Sequence, residues 1–334
     1  MPAVSVIMAF HRVTPFLRPA VRSVLGQTWR DLELILVDNG TGVGLTPLDE
    51  DGRDPRVRLI SHATNLGIGA AHNAAVAAAR GEFIALLDYD DLMAPNRLEK
   101  QIAALRADPR AGLVSCGAES IDESGRVLGR EFSLGDAHDQ FRYSLYAAPV
   151  VTPAYTGRRV VFAKLPYRPE FTFAADFDFL ARAAELYPFA SVPEVLLQYR
   201  HHAGQTTVEQ AARIIRERCV VRLLAARRRD GRSEGADWPD LIRPGAADEL
   251  DRAGMLRTVA LQCHCEGFPV LAAYHARRSL AEEPTVRNFF AALRLFGRAW
   301  RRAGAEQGLT ARMFLRGPVK ALGVGRKGSG ESSG

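Results

Sequence analysis

The chain has 334 residues, 47% of them hydrophobic, with 29 glycines and 18 prolines. It can build a sizeable core in one large or two unequal domains, and its composition excludes fibrous and low-complexity classes. Its four cysteines, Cys116, Cys219, Cys263 and Cys265, are too few for a disulfide scaffold, and the net charge of +6 suits anionic partners or a solvated arginine-rich surface.

In chain order, the opening MPAVSVIMAF has no basic leader and reads as a core strand over residues 4–9. Thr14-Pro15 opens a helix to about residue 26, since threonine caps and proline suits the first turn. ELILV over residues 33–37 is a second strand, stopped by Asp38-Asn39-Gly40, and residues 57–61 are a third. Residues 68–79 are alanine-rich and helical; residues 83–87 form a fourth strand that runs into Asp88-Tyr89-Asp90-Asp91. A helix over 95–105 and a strand over 112–117 follow. Short apolar strands separated by helices predict an α/β fold, a doubly wound and mostly parallel sheet covered on both faces.

From about residue 120 to 200 the pattern is irregular, with a hairpin turn at Ser124-Gly125 and a helix over 176–186. Beyond about 205, arginine, alanine and leucine dominate at helical spacing. The expected organisation is a first domain over 1–205, a helical C-terminal region over 206–324 and a disordered tail over 325–334. No apolar run of about 20 residues is present to cross a bilayer.

Open parallel sheets bind ligands beyond the carboxyl ends of their strands. Here those ends carry Phe10-His11-Arg12, Asp38-Asn39 and Asp88-Tyr89-Asp90-Asp91. Three aspartates within four residues repel one another unless a cation sits among them. Hard oxygen ligands beside a phosphate-bearing substrate suit Mg²⁺ or Mn²⁺. Asp91 is also placed to cap the helix that follows.

Five segments carry a resemblance: VSVIMAFHR, ILVDNG, NLGIGAAHNAAVAAARGEFIALLDYDD, AADFDFLAR and VPEVLLQYRHHAGQT. In this order they resemble inverting family 2 glycosyltransferases with the GT-A fold, over about residues 3–206. The resemblance implies a metal-dependent transfer of sugar from a nucleotide diphosphate donor to a hydroxyl of a glycan or lipid-linked saccharide. It places the donor base against Asp38 and Asn39, and the rest of the nucleotide against Ala9, Phe10, Asn65, Gly67, His72, Asn73 and Asp88. Asp88 and Asp90 match the Asp-x-Asp metal motif. Asp176 matches the general base, with Asp178 as the competing candidate. Arg200 and His202 fall in the late Tyr-Arg-x-His element that touches the diphosphate, and His202 also the metal. No nucleic-acid partner is implied.

Three departures stand out. Asn39 replaces a common second aspartate; an amide still accepts from a pyrimidine imide, which keeps uridine and thymidine donors. His72 replaces a common arginine, and a neutral imidazole holds phosphate more weakly. Ala175 replaces the glutamate that usually precedes the base.

Weaker signals remain. Gly67-x-Gly69 opens a helix but lacks the third glycine of a dinucleotide loop. Cys263-His264-Cys265 has no standard zinc spacing. Arg158-Arg159 is either a holder of an anionic acceptor or a solvated pair. Arginines over 294–320, interleaved with Phe296, Trp300 and Phe314, suit an amphipathic helix on the protein body or a peripheral contact with the cytoplasmic face of an anionic membrane. The alternatives to transfer are a nucleotide-sugar-forming nucleotidyltransferase, which would want a glycine-rich basic loop after the first strand, and a degenerate nucleotide- or glycan-binding module.

Overall fold

The structure is a computed structural model that describes residues 2–130, 151–206, 210–229, 231–236 and 238–242. These lie in a compact unit spanning Met1–Leu250. The basic stretch at 294–320, the Cys263-His264-Cys265 triplet and the tail at 325–334 lie outside the described residues.

In chain order the elements are β1 (Val4–Phe10), α1 (Leu17–Leu25), β2 (Leu32–Asn39), β3 (Val57–His62), α2 (Ile68–Ala78), β4 (Phe83–Leu86), β5 (Leu92–Met93), α3 (Arg97–Ala107), β6 (Leu113–Ile121), β7 (Val127–Arg130), β8 (Thr156–Arg158), α4 (Arg159–Lys164), α5 (Ala175–Leu186), β9 (Phe189–Arg200) and α6 (Ala211–Arg229). One mixed sheet has the order β3-β2-β1-β4-β8-β6-β9-β5, with β7 paired to β6. β3, β2, β1 and β4 are mutually parallel. β8 runs antiparallel to both β4 and β6, and β9 is parallel to β6. β3, β2, β1, β4, β6 and β9 therefore all point the same way. Their carboxyl ends share one edge, and that shared edge is what gathers the site.

The strands form where the sequence is continuously apolar. Every residue of β1 and of β2 is buried, as expected of strands covered on both faces. Val4, Val6, Met8 and Phe10 share one core with Leu17, Ala20, Val21 and Val24 of α1 and with Leu98, Ile102 and Leu105 of α3. The alternating Ile7 is equally buried and faces the other side, where α2 packs on β1 and β2. Each such valine or leucine contributes about 1.5–3 kcal/mol by leaving water. Truncation of Leu98 to alanine would therefore loosen α3 from the sheet. Arg97 is fully buried and donates through Nη2 to the carbonyls of Leu86 and Tyr155, at 3.1 and 3.3 Å. This pins the end of β4 immediately before Asp88.

The predicted hairpin turn is present: Asp122 N–H donates to the Arg126 carbonyl, and Gly125 has φ 86°. The irregular reading of 120–200 is corrected by β9, a twelve-residue strand inside the sheet. Its register against β6 shifts around Cys116–Ala118, opposite the stretch that holds Pro193. A proline cannot donate to a ladder, and a bulge accommodates it. Of Arg158 and Arg159, the first is half-buried and the second exposed, and both hold backbone carbonyls. Arg158 donates to the carbonyls of Ala111 and Leu105, and Arg159 to that of Gly81. No helix among the described residues is long and apolar enough to cross a membrane.

Candidate active site

The chain after β4 turns sharply, with Asp91 N–H donating to the Asp88 carbonyl. One ligand atom from each of Asp88, Asp90 and Asp91 lies within 4.8 Å of the others, a grouping able to hold a metal ion. β9 delivers its end to the same place. Asp90 Oδ2 and His202 Nε2 are 2.9 Å apart, and the Arg200 N–H donates to Asp91 Oδ1 at 2.8 Å. Asp91 is fully buried and tied to β9, so it does not cap α3; the residue at that position is Asn96, which makes no side-chain cap bond.

Charge crowding is severe. Burial and the neighbouring Asp90 and Asp176 push Asp88 up to about 8. Burial, Asp90 and Asp88 push Asp91 well above the carboxylate range, against the pull of the Arg200 N–H. Asp91 Oδ2 is buried and makes no hydrogen bond among the described residues. Mutual repulsion plus an orphaned carboxylate oxygen is what a hard divalent cation relieves, so the residues present fit one.

Arg200 is almost fully buried and is spent on the backbone. Its Nε donates to the Asp90 carbonyl at 2.9 Å, and its Nη1 to those of Asp122 and Glu123 at 2.9 and 3.1 Å. Its guanidinium lies 4.7 Å from the Phe16 ring centre, and the same ring is 5.1 Å from that of His202. It therefore locks the ends of β4, β6 and β9 together.

Asp38 and Asn39, at the end of β2, organise loops. Asp38 takes the Thr41 N–H and hydroxyl on Oδ1 and the Gly44 N–H on Oδ2. Although burial opposes it, these donors hold its pKa below the usual range. Asn39 donates to Asn65 Oδ1 and the Gly67 carbonyl, and accepts from the Leu66 N–H and pairs with His62 Nδ1 at 3.1 and 2.9 Å. Ala9 and Phe10 are buried at the adjacent end of β1, where Phe10 is in register with Asp38.

On α2, Asn73 clamps the Tyr167 backbone at both ends of its amide, 2.8 Å each way. His72 is 5% exposed, its ring edge-on to Tyr167 at 5.0 Å. Burial drives its pKa down to about 4 despite the charge of Asp176, so it is neutral at pH 7. His72 Nδ1 and the Tyr167 hydroxyl are both buried without a hydrogen bond among the described residues. Gly69 permits the close packing here: a Cβ on it would stand 3.2 Å from that of Ala175.

Asp176 lies in the first turn of α5, close enough to Asp88 for their charges to interact. Its Oδ1 accepts the Phe177 N–H at 2.7 Å, and its Oδ2 the Thr152 hydroxyl at 2.6 Å. Asp178 differs: it is fully buried, 2.8 Å from Arg182 and 3.6 Å from Arg168. That makes it a structural ion pair. Sequence reasoning missed Thr152 and Tyr167, whose contacts with Asp176 and His72 leave no local pattern.

Residues 5–165 match the family described as Glycosyl transferase family 2. An uncharacterised glycosyltransferase of Methanocaldococcus jannaschii is 32% identical over 206 residues, spanning 60% of this chain and 71% of that protein. The chain belongs to glycosyl transferase family 2. Transferase activity goes with that membership, and the fold agrees with it. Residues 1–349 of S. aureus TarS, solved in complex with UDP-GlcNAc, are similar at TM-score 0.55 and 14% identity, over 91% of this chain and 92% of that one. The mannosyltransferase PcManGT from Pyrobaculum calidifontis, in complex with GDP-Man and Mn²⁺, gives TM-score 0.53 and 19% identity, over 90% and 80%. The family 2 chain thus has the GT-A type of sheet, with its acidic cluster at the shared strand edge.

Proposed function

We propose that the chain is a metal-dependent, inverting glycosyltransferase that moves a sugar from a nucleotide diphosphate donor, UDP or TDP favoured, to a hydroxyl of a glycan or lipid-linked saccharide. The observation that carries this reading is the pairing of an acidic cluster, Asp88, Asp90 and Asp91, with a separate carboxylate, Asp176, on a neighbouring helix.

Asp88, Asp90 and His202 would hold Mn²⁺ or Mg²⁺, which supplies counter-charge for the departing diphosphate. Asp38 and Asn39 act on the donor base by fixing the loops at 41–44 and 62–67 that form its surroundings. Asn65 and Gly67 sit on the second of these. Asn73 acts on the nucleotide through the Tyr167 backbone, and Arg200 on the diphosphate through the loops it locks. His72 meets the donor as a neutral group.

Asp176 is the base. The Phe177 N–H occupies Oδ1 and fixes the carboxylate plane. Oδ2 takes the proton of the attacking acceptor hydroxyl. The Thr152 hydroxyl donates to Oδ2 before transfer and, by rotating, accepts from it afterwards, because a hydroxyl serves both roles.

The test is a panel of UDP-, TDP- and GDP-sugars, with Mn²⁺ or Mg²⁺, read as release of nucleoside diphosphate and as thermal stabilisation by the free nucleotides. Release from one donor, lost on chelation, supports the reading. Stabilisation by no nucleotide and turnover of no donor would leave a non-catalytic module. Consumption of a nucleoside triphosphate with a sugar phosphate would indicate nucleotidyl transfer.

A further inference from the structure

Glu217 lies on α6, well beyond residues 5–165 that match the family. It is 3% exposed, and its carboxylate accepts three successive backbone N–H groups: Phe173 at 2.7 Å and Ala174 at 2.8 Å on Oε2, and Thr172 at 3.3 Å on Oε1. These are the amides that lead into α5. The residue at the helix cap is Ala174, which has no side chain able to satisfy them. Thr172 and Phe173 precede the helix and Ala174 is its cap, so these amides find no partner within it and need an acceptor from elsewhere. Here the acceptor comes from another helix.

The segment is held from a second direction too. Phe177, whose N–H sets the plane of the Asp176 carboxylate, has the guanidinium groups of Arg218 and Arg222 over its ring, at 5.2 and 5.4 Å. Burial of a carboxylate is costly, and three charge-assisted hydrogen bonds offset part of that cost. Without Glu217, the N–H groups of residues 172–174 would turn to the nearest remaining acceptor, and Asp176 is two residues on.

We propose that Glu217 is a positioning residue for Asp176: by holding, from α6, the backbone that leads into α5, it fixes the first turn of that helix and keeps the oxygens of Asp176 available to the acceptor hydroxyl. The proposal rests on the reading of Asp176 as the base.

The experiment is a double-mutant cycle on the full chain. It uses the nucleotide sugar turned over in the panel above, with kcat counted per nucleotide-binding site so that misfolded protein does not enter. Glu217→Ala should lower kcat roughly 10- to 100-fold, as for a misplaced catalytic group, with nucleotide affinity unchanged. Glu217→Gln keeps one acceptor oxygen and should recover part of that loss. Asp176→Asn combined with Glu217→Ala should be no slower than Asp176→Asn alone, because residues acting through one another are not additive. A wild-type kcat in Glu217→Ala, or losses that multiply in the double variant, would overturn the positioning role. Should Glu217→Ala bind no nucleotide, Glu217→Gln decides alone: a several-fold loss of kcat at constant affinity supports the role, and wild-type kcat overturns it. A fully active Asp176→Asn would sink the base assignment and the positioning role together. A crippled Asp176→Asn beside an unimpaired Glu217→Ala sinks only the latter.

Discussion

Asp90 and His202 stand 112 positions apart in the chain, yet Oδ2 of one and Nε2 of the other are 2.9 Å apart. The contact joins the turn after β4 to the turn after β9, and it orients Asp90 within a cluster of like charges. Asp90→Ala should abolish sugar transfer while leaving the thermal transition in place, since the residue lies in the turn after β4 and not in the hydrophobic core. His202→Ala removes both a proposed metal ligand and the partner that orients Asp90, and should weaken metal affinity by at least about 10–100-fold. Titration of transfer activity with Mn²⁺ in both variants checks this. Full activity of Asp90→Ala, or of the wild type after chelation, would refute the metal assignment.

Asn39 supports a different kind of prediction. Both ends of its amide are engaged with residues 62–67, so it reads as a loop anchor. Asn39→Ala removes these bonds from partners that are half-buried or exposed and can turn to water, and should cost about 0.5–1.5 kcal/mol of stability. Nucleotide affinity should fall with it, because Asn65 and Gly67 lose their tether. Urea denaturation and calorimetry with UDP measure the two effects. Weaker UDP binding with unchanged stability would indicate a direct base contact and remove the anchoring role.

His72 makes stability depend on pH in a defined window. Its pKa is about 4 in the folded protein, against 6.5 for an ordinary histidine. As pH falls below 6.5, the unfolded chain takes up a proton that the folded chain refuses until about 4. Stability attributable to this residue is therefore present above 6.5 and declines between 6.5 and 4, by at most about 1.4 kcal/mol per pH unit. His72→Gln removes the titration, so its stability should fall less steeply than that of the wild type across this range. Parallel slopes in urea denaturation from pH 6.5 to 4.5 would show that His72 takes up its proton in the fold.

What was legible in the sequence follows from physics that is local. β1, β2 and β4 are visible because strands buried on both faces must be continuously apolar. The acidic cluster is visible because its members share one turn. β9 is obscured by Pro193 and Glu194, whose presence depends on a bulge that the partner strand β6 accommodates. Thr152 and Glu217 leave no trace because they meet their partners across 24 and about 44 residues. Asn73 shows the reverse problem: its amide reads as a nucleotide ligand, and it closes on the Tyr167 backbone 94 residues away.

The pair Asp176 and Asp178 tests the mechanism most directly, because the two carboxylates are two residues apart and differ only in surroundings. Asp176 is partly exposed, near Asp88, with neutral donors on each oxygen. Asp178 is fully buried between Arg182 and Arg168. Asp176→Asn is nearly isosteric, and its carbonyl oxygen can still accept the Phe177 N–H, so melting temperature and nucleotide affinity should hold. What it loses is the capacity to take a proton, and transfer should slow by about 10²–10⁴. Asp178→Asn should do the opposite. It leaves the nearly buried Arg182 without its counter-charge, which costs about 3–5 kcal/mol when one partner of such a pair is removed, while Arg168 keeps Glu234. The protein that remains folded should turn over at close to the normal rate. Initial rates per nucleotide-binding site, measured beside thermal unfolding, separate the two effects. A normal rate in Asp176→Asn with a collapsed rate in folded Asp178→Asn would move the base to Asp178, and normal rates in both would place it outside α5.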